Sequence, residues 1–271
     1  TRSLVATLLA EGVREVVLCP GSRSAPLADA LADAADTGTL RLRVVLDERS
    51  AGFIALGVAR AHALAGRSRC AAVVTTSGTA VSNLHPAVSE ADAAGTPLLV
   101  ISADRPHELV GTGASQTTEQ TGLLSPALRL AVDLPADLSA DLGAGAAQAA
   151  IAGQVRRAVV AATGALSRDP GPVQINARFR PPLAAPSGEA TPPSVPAPAH
   201  PTSSEDGTEP RTPTPPAVGM DCDEQASEPP SPEGSEGIIV AGDTAHPSVG
   251  ALARALAEHL GWPLLAEPTP Q

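Results

Sequence analysis

The chain has no tyrosine, one tryptophan and two phenylalanines in 271 residues. That removes the aromatic platforms on which single-stranded nucleic acids stack. Clustered positive charge is missing too: 18 basic residues stand against 29 acidic ones, for a formal net charge of −11. Phosphate binding needs concentrated Lys and Arg, so nucleic acid is not an expected partner. Cysteine is scarce, and Cys19, Cys70 and Cys222 show no CxxC spacing. The six histidines are scattered without a paired-ligand pattern, so neither a disulfide framework nor a zinc site is indicated. No run is long and apolar enough to span a membrane, since the Ala/Gly-rich stretch near 140–152 is broken by Gln148 and preceded by Asp141. The opening TRSLVATLLAEGV carries one basic residue and is interrupted by Glu11, which is too short and too polar for a secretory signal. A soluble cytoplasmic protein without membrane insertion is the expectation.

The negative charge is concentrated. Between positions 181 and 236 ten acidic residues face a single basic one, Arg211, and the same stretch holds 15 of the 28 prolines. Such a segment cannot bury enough apolar surface to offset the entropy of ordering it. It reads as a disordered, Pro-rich acidic linker at 181–236. On either side lie a domain at 1–180 and a piece at 237–271 that is too small to hold a core alone.

The first domain alternates strand-like and helix-like segments, the sequence form of an α/β fold with a parallel sheet and helices on both faces. Apolar runs Glu15–Cys19, Leu42–Leu46, Ala71–Thr75 and Pro97–Ser102 have the length and β-branched content of buried strands. Ala25–Ala35, Ser50–Ala65 and Ala80–Ala93 carry Ala and Leu at helical spacing. A helix near 146–163 and a strand at Val173–Asn176 complete the layer. The stretch GIIVAG, then Ser248–Leu260, then GWPLL repeats strand, helix, strand, and predicts the incomplete start of a second α/β domain.

Polar punctuation follows each strand at once: CPGSRS at 19–24, DER at 47–49, TSGT at 76–79 and DRP at 104–106. In a parallel sheet these turns share the carboxyl edge, where open α/β folds bind ligands. Pro20-Gly21-Ser22 before a helix suits an anion, and Arg23 adds a planar bidentate cation. The same residues also make an ordinary strand-to-helix turn with Ser24 as N-cap. Asp47-Glu48 reads on local sequence first as a capped helix start, with a functional carboxylate as the alternative. Thr76-Ser77-Gly78-Thr79 is either a nest of donors or another capped start. Asp104-Arg105 is either a surface ion pair or an arginine aimed at a second carboxylate. GTGASQTTEQ at 111–120 is a polar loop in which Gln116 can both donate and accept. His62 and His259, on predicted helices, and His85, beside Pro86, carry no assigned role. With neither GxGxxG nor GK[ST] in these turns, a Rossmann fingerprint or a P-loop is disfavoured.

Taken together, VVLCPGSRSAPLA, DERSAGFIALGVA, VVTTSGTAVSNLHPAV, LLVISADRPHEL and GTGASQTTEQ resemble the MenD family of thiamine-diphosphate enzymes, the 2-succinyl-5-enolpyruvyl-6-hydroxy-3-cyclohexene-1-carboxylate synthases of menaquinone biosynthesis. The similarity runs over residues 1–180, which would be the pyrimidine-binding domain, and resumes at GIIVAG and GWPLLAEP. The resemblance implies a transferase that decarboxylates 2-oxoglutarate and adds the resulting carbanion to isochorismate. It implies thiamine diphosphate with Mg²⁺ or Mn²⁺ as cofactors, and a homodimer or homotetramer. Glu48 would hydrogen-bond the pyrimidine N1′ and so act catalytically, with Pro20, Gly21 and Ser77 lining the cofactor. Ser22, Arg23, Arg105, Ser115 and Gln116 would hold substrate carboxylates and hydroxyls. Ser115 departs from the family, which usually has Asn there. No GDG…N motif for metal and diphosphate occurs in the 271 residues, so no metal ligand is expected on them, and the chain alone is expected not to complete the reaction. An acetolactate-synthase-type enzyme would share fold and glutamate but not SRS and DRP. A non-catalytic fragment, or a split subunit working with a separate diphosphate-binding chain, is the other alternative.

Overall fold

The computed structural model describes residues 1–138, 143–183, 237–242 and 248–266. Six parallel strands form one sheet: β1 (Glu15–Leu18), β2 (Arg41–Val44), β3 (Ala71–Thr75), β4 (Leu98–Asp104), β5 (Leu130–Leu134) and β6 (Val173–Arg178), in the order β2-β1-β3-β4-β6-β5. Register is set by apolar partners across the middle, with Val17 opposite Val73, Val73 opposite Val100 and Ile101 opposite Ile175. Strand side chains alternate between faces. Val16, Leu18, Ala72, Val74, Leu99, Ile101 and Ile175 join one core cluster, which includes residues of α1 (Arg2–Ala10), α2 (Ala25–Asp36) and α6 (Gly143–Thr163). Val17, Cys19, Ala71, Val73, Leu98 and Val100 join the other, with residues of α3 (Glu48–Leu64), α4 (Thr79–Ser82) and α5 (His85–Ala93). Because both faces are covered, the central strands are apolar along most of their length. Full burial of a side chain such as Ile101 contributes about 1.5–3 kcal/mol.

Three expectations change. The strand at Leu42–Leu46 is not buried: β2 is the edge strand, ends at Val44, and leaves Val44 and Leu46 63% and 82% exposed. The helix at Ala80–Ala93 is two helices, α4 and α5, with Pro86 in the first turn of α5. Proline lacks the N–H that a continuous helix would need there, and its ring would meet the carbonyl one turn earlier. β5 and α1 form without having been expected. The remaining elements fall within a few residues of their predicted positions.

In the second stretch β7 (Ile239–Ala241), α7 (Ser248–Leu260) and β8 (Leu264–Ala266) make a two-stranded parallel unit, as the repeated strand, helix, strand pattern predicts. Of the segment read as a linker, residues 184–236 lie outside the described residues. Among the described residues no helix is long and apolar enough to cross a membrane.

Candidate functional site

The chain runs from β1 outward to β2 and then returns past β1 to β3, so the gap between the carboxyl ends of β1 and β3 is the switch point of the sheet. Two turns flank it. After β1, the Cys19 N–H still bonds Val74 O at 2.8 Å, and then Gly21 passes Thr76 so closely that a Cβ would lie 2.5 Å from the Thr76 Cβ. Only glycine fits there. Ser24 occupies the N-cap of α2, yet its hydroxyl does not cap the helix and donates instead to Gly21 O at 3.0 Å, which pins the turn. Ser22 and Pro20 are exposed on its rim.

After β3, Ser77 and Gly78 are buried. Gly78 has φ 79° and ψ −139°, a region open only to glycine, and its N–H donates to Gln120 Oε1 at 2.6 Å. The loop before Gln120 closes over this turn. Gln116, itself left-handed at φ 56°, donates from Nε2 to Ser77 O at 2.8 Å. Its carbonyl accepts from Ser77 Oγ at 3.1 Å and from Arg105 Nη1 at 2.6 Å, and the same Nη1 also donates to Ser77 Oγ. Thus Ser77, Arg105 and Gln116, from three separate sequence motifs, form one bonded group.

Beneath it lies a polar layer, buried except at Asp133, that the sequence reading missed. Ser102 and Asp104 on β4 stand opposite Asn176 and Arg178 on β6, and Asp133 on β5 stands opposite Asn176. Ser102 Oγ bonds Asn176 Oδ1 at 2.9 Å, and Asn176 Nδ2 donates to Asp104 and Asp133 at 3.0 and 2.9 Å. Gln120 Nε2 joins Asn176 Oδ1 at 3.0 Å, and Gln174 Nε2 donates to Ser102 Oγ and Gln120 O. Asp104 is fully buried and ion-paired with Arg178 at 3.0 Å, so the surface ion pair Asp104-Arg105 does not exist. The signal was present in VQINAR, where polar Gln174, Asn176 and Arg178 alternate with Val173, Ile175 and Ala177 in a strand buried on both faces.

Arg23 reaches this layer from the β1 turn. Its Nη1 donates to Phe179 O at 2.8 Å, while its buried Nε has no partner. Burial and the neighbouring Arg105 cation lower its pKa, with Asp104 acting in the opposite direction. Arginine remains charged throughout the accessible pH range, so the two guanidiniums place excess positive charge and an unused donor on one edge. That donor set suits a carboxylate.

Glu48 is the first residue of α3. Asp47 caps the helix, its carboxylate accepting from Ser50 N at 2.8 Å, and this bond is the main cause holding its pKa below the usual range. The cap and the candidate functional carboxylate are therefore adjacent residues with separate tasks. The half-buried Glu48 carboxylate makes no hydrogen bond or ion pair among the described residues. Its nearness to the β1 turn registers on Cys19, whose thiol is pushed up to about 12 by burial first, then by Glu48 and Asp47. No bond joins Glu48 to the Ser77, Arg105 and Gln116 group. Ser115 is exposed, and its carbonyl accepts a long bond from Thr117 at 3.3 Å.

Residues 1–123 match the model of the thiamine pyrophosphate enzyme N-terminal TPP-binding domain. Those residues thus correspond to the N-terminal domain of the thiamine pyrophosphate enzymes. It is 47% identical over 267 residues to the 2-succinyl-5-enolpyruvyl-6-hydroxy-3-cyclohexene-1-carboxylate synthase of Kineococcus radiotolerans, covering 98% of this chain and 42% of that protein. The corresponding synthases of Paenarthrobacter aurescens and Mycobacterium avium are 46% and 43% identical, each over 99% of this chain and over 41% and 44% of their own lengths. Across nearly its whole length the chain is thus a homologue of part of the MenD synthases. It spans about two fifths of the relatives it matches.

Proposed function

We propose that residues 1–180 are the pyrimidine-binding domain of a MenD-type synthase, which decarboxylates a two-carboxylate keto acid, 2-oxoglutarate, and adds the resulting carbanion to isochorismate. The observation that supports this best is the solitary Glu48 carboxylate. Among the described residues the other half-buried acids are paired, as Glu15 is with Arg43 and Asp92 with Arg129, whereas the Glu48 carboxylate has no partner there beside the switch point. An unpaired carboxylate at that place fits the protonated N1′ of an aminopyrimidine. Thiamine diphosphate, when bound, supplies the carbon nucleophile and electron sink that no side chain provides.

The residues of this chain have distinct tasks. Glu48 holds a proton at N1′. Pro20, Gly21 and Ser77 line the ring, where the absence of a side chain at Gly21 keeps the turn tight. Arg23 and Arg105 take substrate carboxylates, with Ser22, Ser115 and Gln116 as neutral partners for carboxylates and hydroxyls. The relatives are more than twice this length, and we place the ligands of Mg²⁺ or Mn²⁺ and of the diphosphate in the portion that these 271 residues do not match. Residues 1–271 alone are then inactive. A second copy covers the apolar surface around Glu48, giving a homodimer or a tetramer of such dimers in the cytoplasm.

Glu48→Gln, made in the protein expressed from its full reading frame, keeps the shape of the side chain and removes the charge. The expected result is a fall in kcat of at least about 100-fold, with an unchanged circular dichroism spectrum and melting temperature. Turnover at the unmodified level would remove Glu48 from the mechanism. A reading frame without any diphosphate-binding domain, in the same chain or an adjoining one, would remove the synthase assignment itself.

A further inference from the structure

We infer that the buried Asp104–Arg178 ion pair is the positioning element for Arg105, fixing the backbone from which that side chain reaches a substrate carboxylate; this rests on the anion-binding role given to Arg105 above. The β4–β6 ladder ends at the pair Asp104 and Arg178. Arg105 is the first residue beyond it and has no strand partner for its peptide groups. Both are bonded by the ion pair instead. Asp104 Oδ1 accepts from the Arg105 N–H at 2.7 Å, and Arg178 Nη1 donates to the Arg105 carbonyl at 3.0 Å and to Asp104 Oδ2 at 3.0 Å. One ion pair therefore grips Arg105 on both sides of its Cα.

The grip is itself held. Arg178 Nε and Nη2 donate to the two oxygens of Asp133 at 3.0 Å each, a fork only guanidinium can make. Asn176 ties the two carboxylates together. Asp104 is 0% and Arg178 5% exposed. Burying such charges brings little net stability, and apolar replacements of a buried pair are often at least as stable. What the charged pair supplies and an apolar pair would not is two directed bonds to the backbone of one residue. That residue also bonds Ser77 and Gln116 across the crevice, so an error in its placement is carried into the whole group.

The test is a double-mutant cycle in the protein expressed from its full reading frame. Arg178→Lys retains a cation for Asp104 but cannot reproduce the fork. Asp104→Asn combined with Arg178→Met removes both charges, and keeps the experiment readable where the lysine variant does not fold. Each is made alone and together with Arg105→Ala, and KM is measured separately for isochorismate and 2-oxoglutarate alongside the melting temperature. The expected result is a rise of roughly 10- to 100-fold in KM for whichever acid Arg105→Ala affects, with KM for the other acid unchanged. In the Arg105→Ala background the Arg178 changes should add nothing. An unaltered KM in the folded Arg178 variants, or effects that multiply in the Arg105→Ala background, would overturn the positioning role while leaving the anion site intact. Unchanged KM for both acids in Arg105→Ala would remove the anion site, and the positioning role with it.

Discussion

Cys19 reports on Glu48 without any need for turnover. Its thiol is pushed up to about 12 by burial, then by Glu48 and Asp47, while Cys70 reaches the same value through burial alone. A raised pKa means that the folded state prefers the neutral thiol. The linked stability is therefore complete below the unfolded thiol value, near 9, and is lost as pH rises from there toward 12. Two consequences can be measured. The urea midpoint should decline with pH above about 9, the model thiol value. In Glu48→Gln one of the causes acting on Cys19 disappears, so alkylation of Cys19 at pH 9, mapped by mass spectrometry, should become faster relative to Cys70. Equal acceleration at both thiols would point to general loosening, and no change would separate Glu48 from the β1 turn.

At the scale of elements, the buried strands β1, β3 and β4 were legible because continuous Val/Leu/Ile runs have few other interpretations, and the turns after them could be placed on one edge once the strands were parallel. β2 was misjudged as buried since LRVVL is as apolar as a central strand; nothing within a strand states whether it has one neighbour or two. β5 was missed because LAVDL is short and its exposed positions alternate with buried ones at a sheet edge. Of the site, the residue types at 23, 48, 77, 105 and 116 were readable, but their bonding was not, since it depends on Gln120, 15 residues beyond Arg105 in sequence and bonded to both β4 and β6. Gln120 anchors the whole loop: it accepts from Gly78 N and donates to Ala103 O and Asn176 Oδ1. Gln120→Met conserves length and leaves the buried Gly78 N–H without its acceptor, which should cost about 1–3 kcal/mol. Limited proteolysis should then cut within 111–119 faster than in the unmodified protein. Equal cleavage would show that the loop is held by Gln116 alone.

For the molecule as a whole, the distribution of exposed apolar side chains is the informative feature. A sheet edge normally protects itself with charge or cover, yet β2 and the start of α3 expose Val44 at 63%, Leu46 at 82%, Phe53 at 43% and Ile54 at 38%. These residues flank Glu48, the carboxylate for which the proposed chemistry requires an opposing surface that excludes water. Cover by a second copy would account for both facts at once, because burying this patch would also desolvate Glu48 and sharpen its interaction with a bound pyrimidine. Leu46→Asp places a charge in the middle of the patch at a position outside every strand and helix, so the subunit fold should be untouched. In the protein expressed from its full reading frame, sedimentation velocity should show a shift from dimer toward monomer, with turnover falling in proportion to the dimer lost. A dimer that persists with full turnover would place the subunit contact elsewhere and leave the apolar rim of Glu48 to be covered from within its own chain.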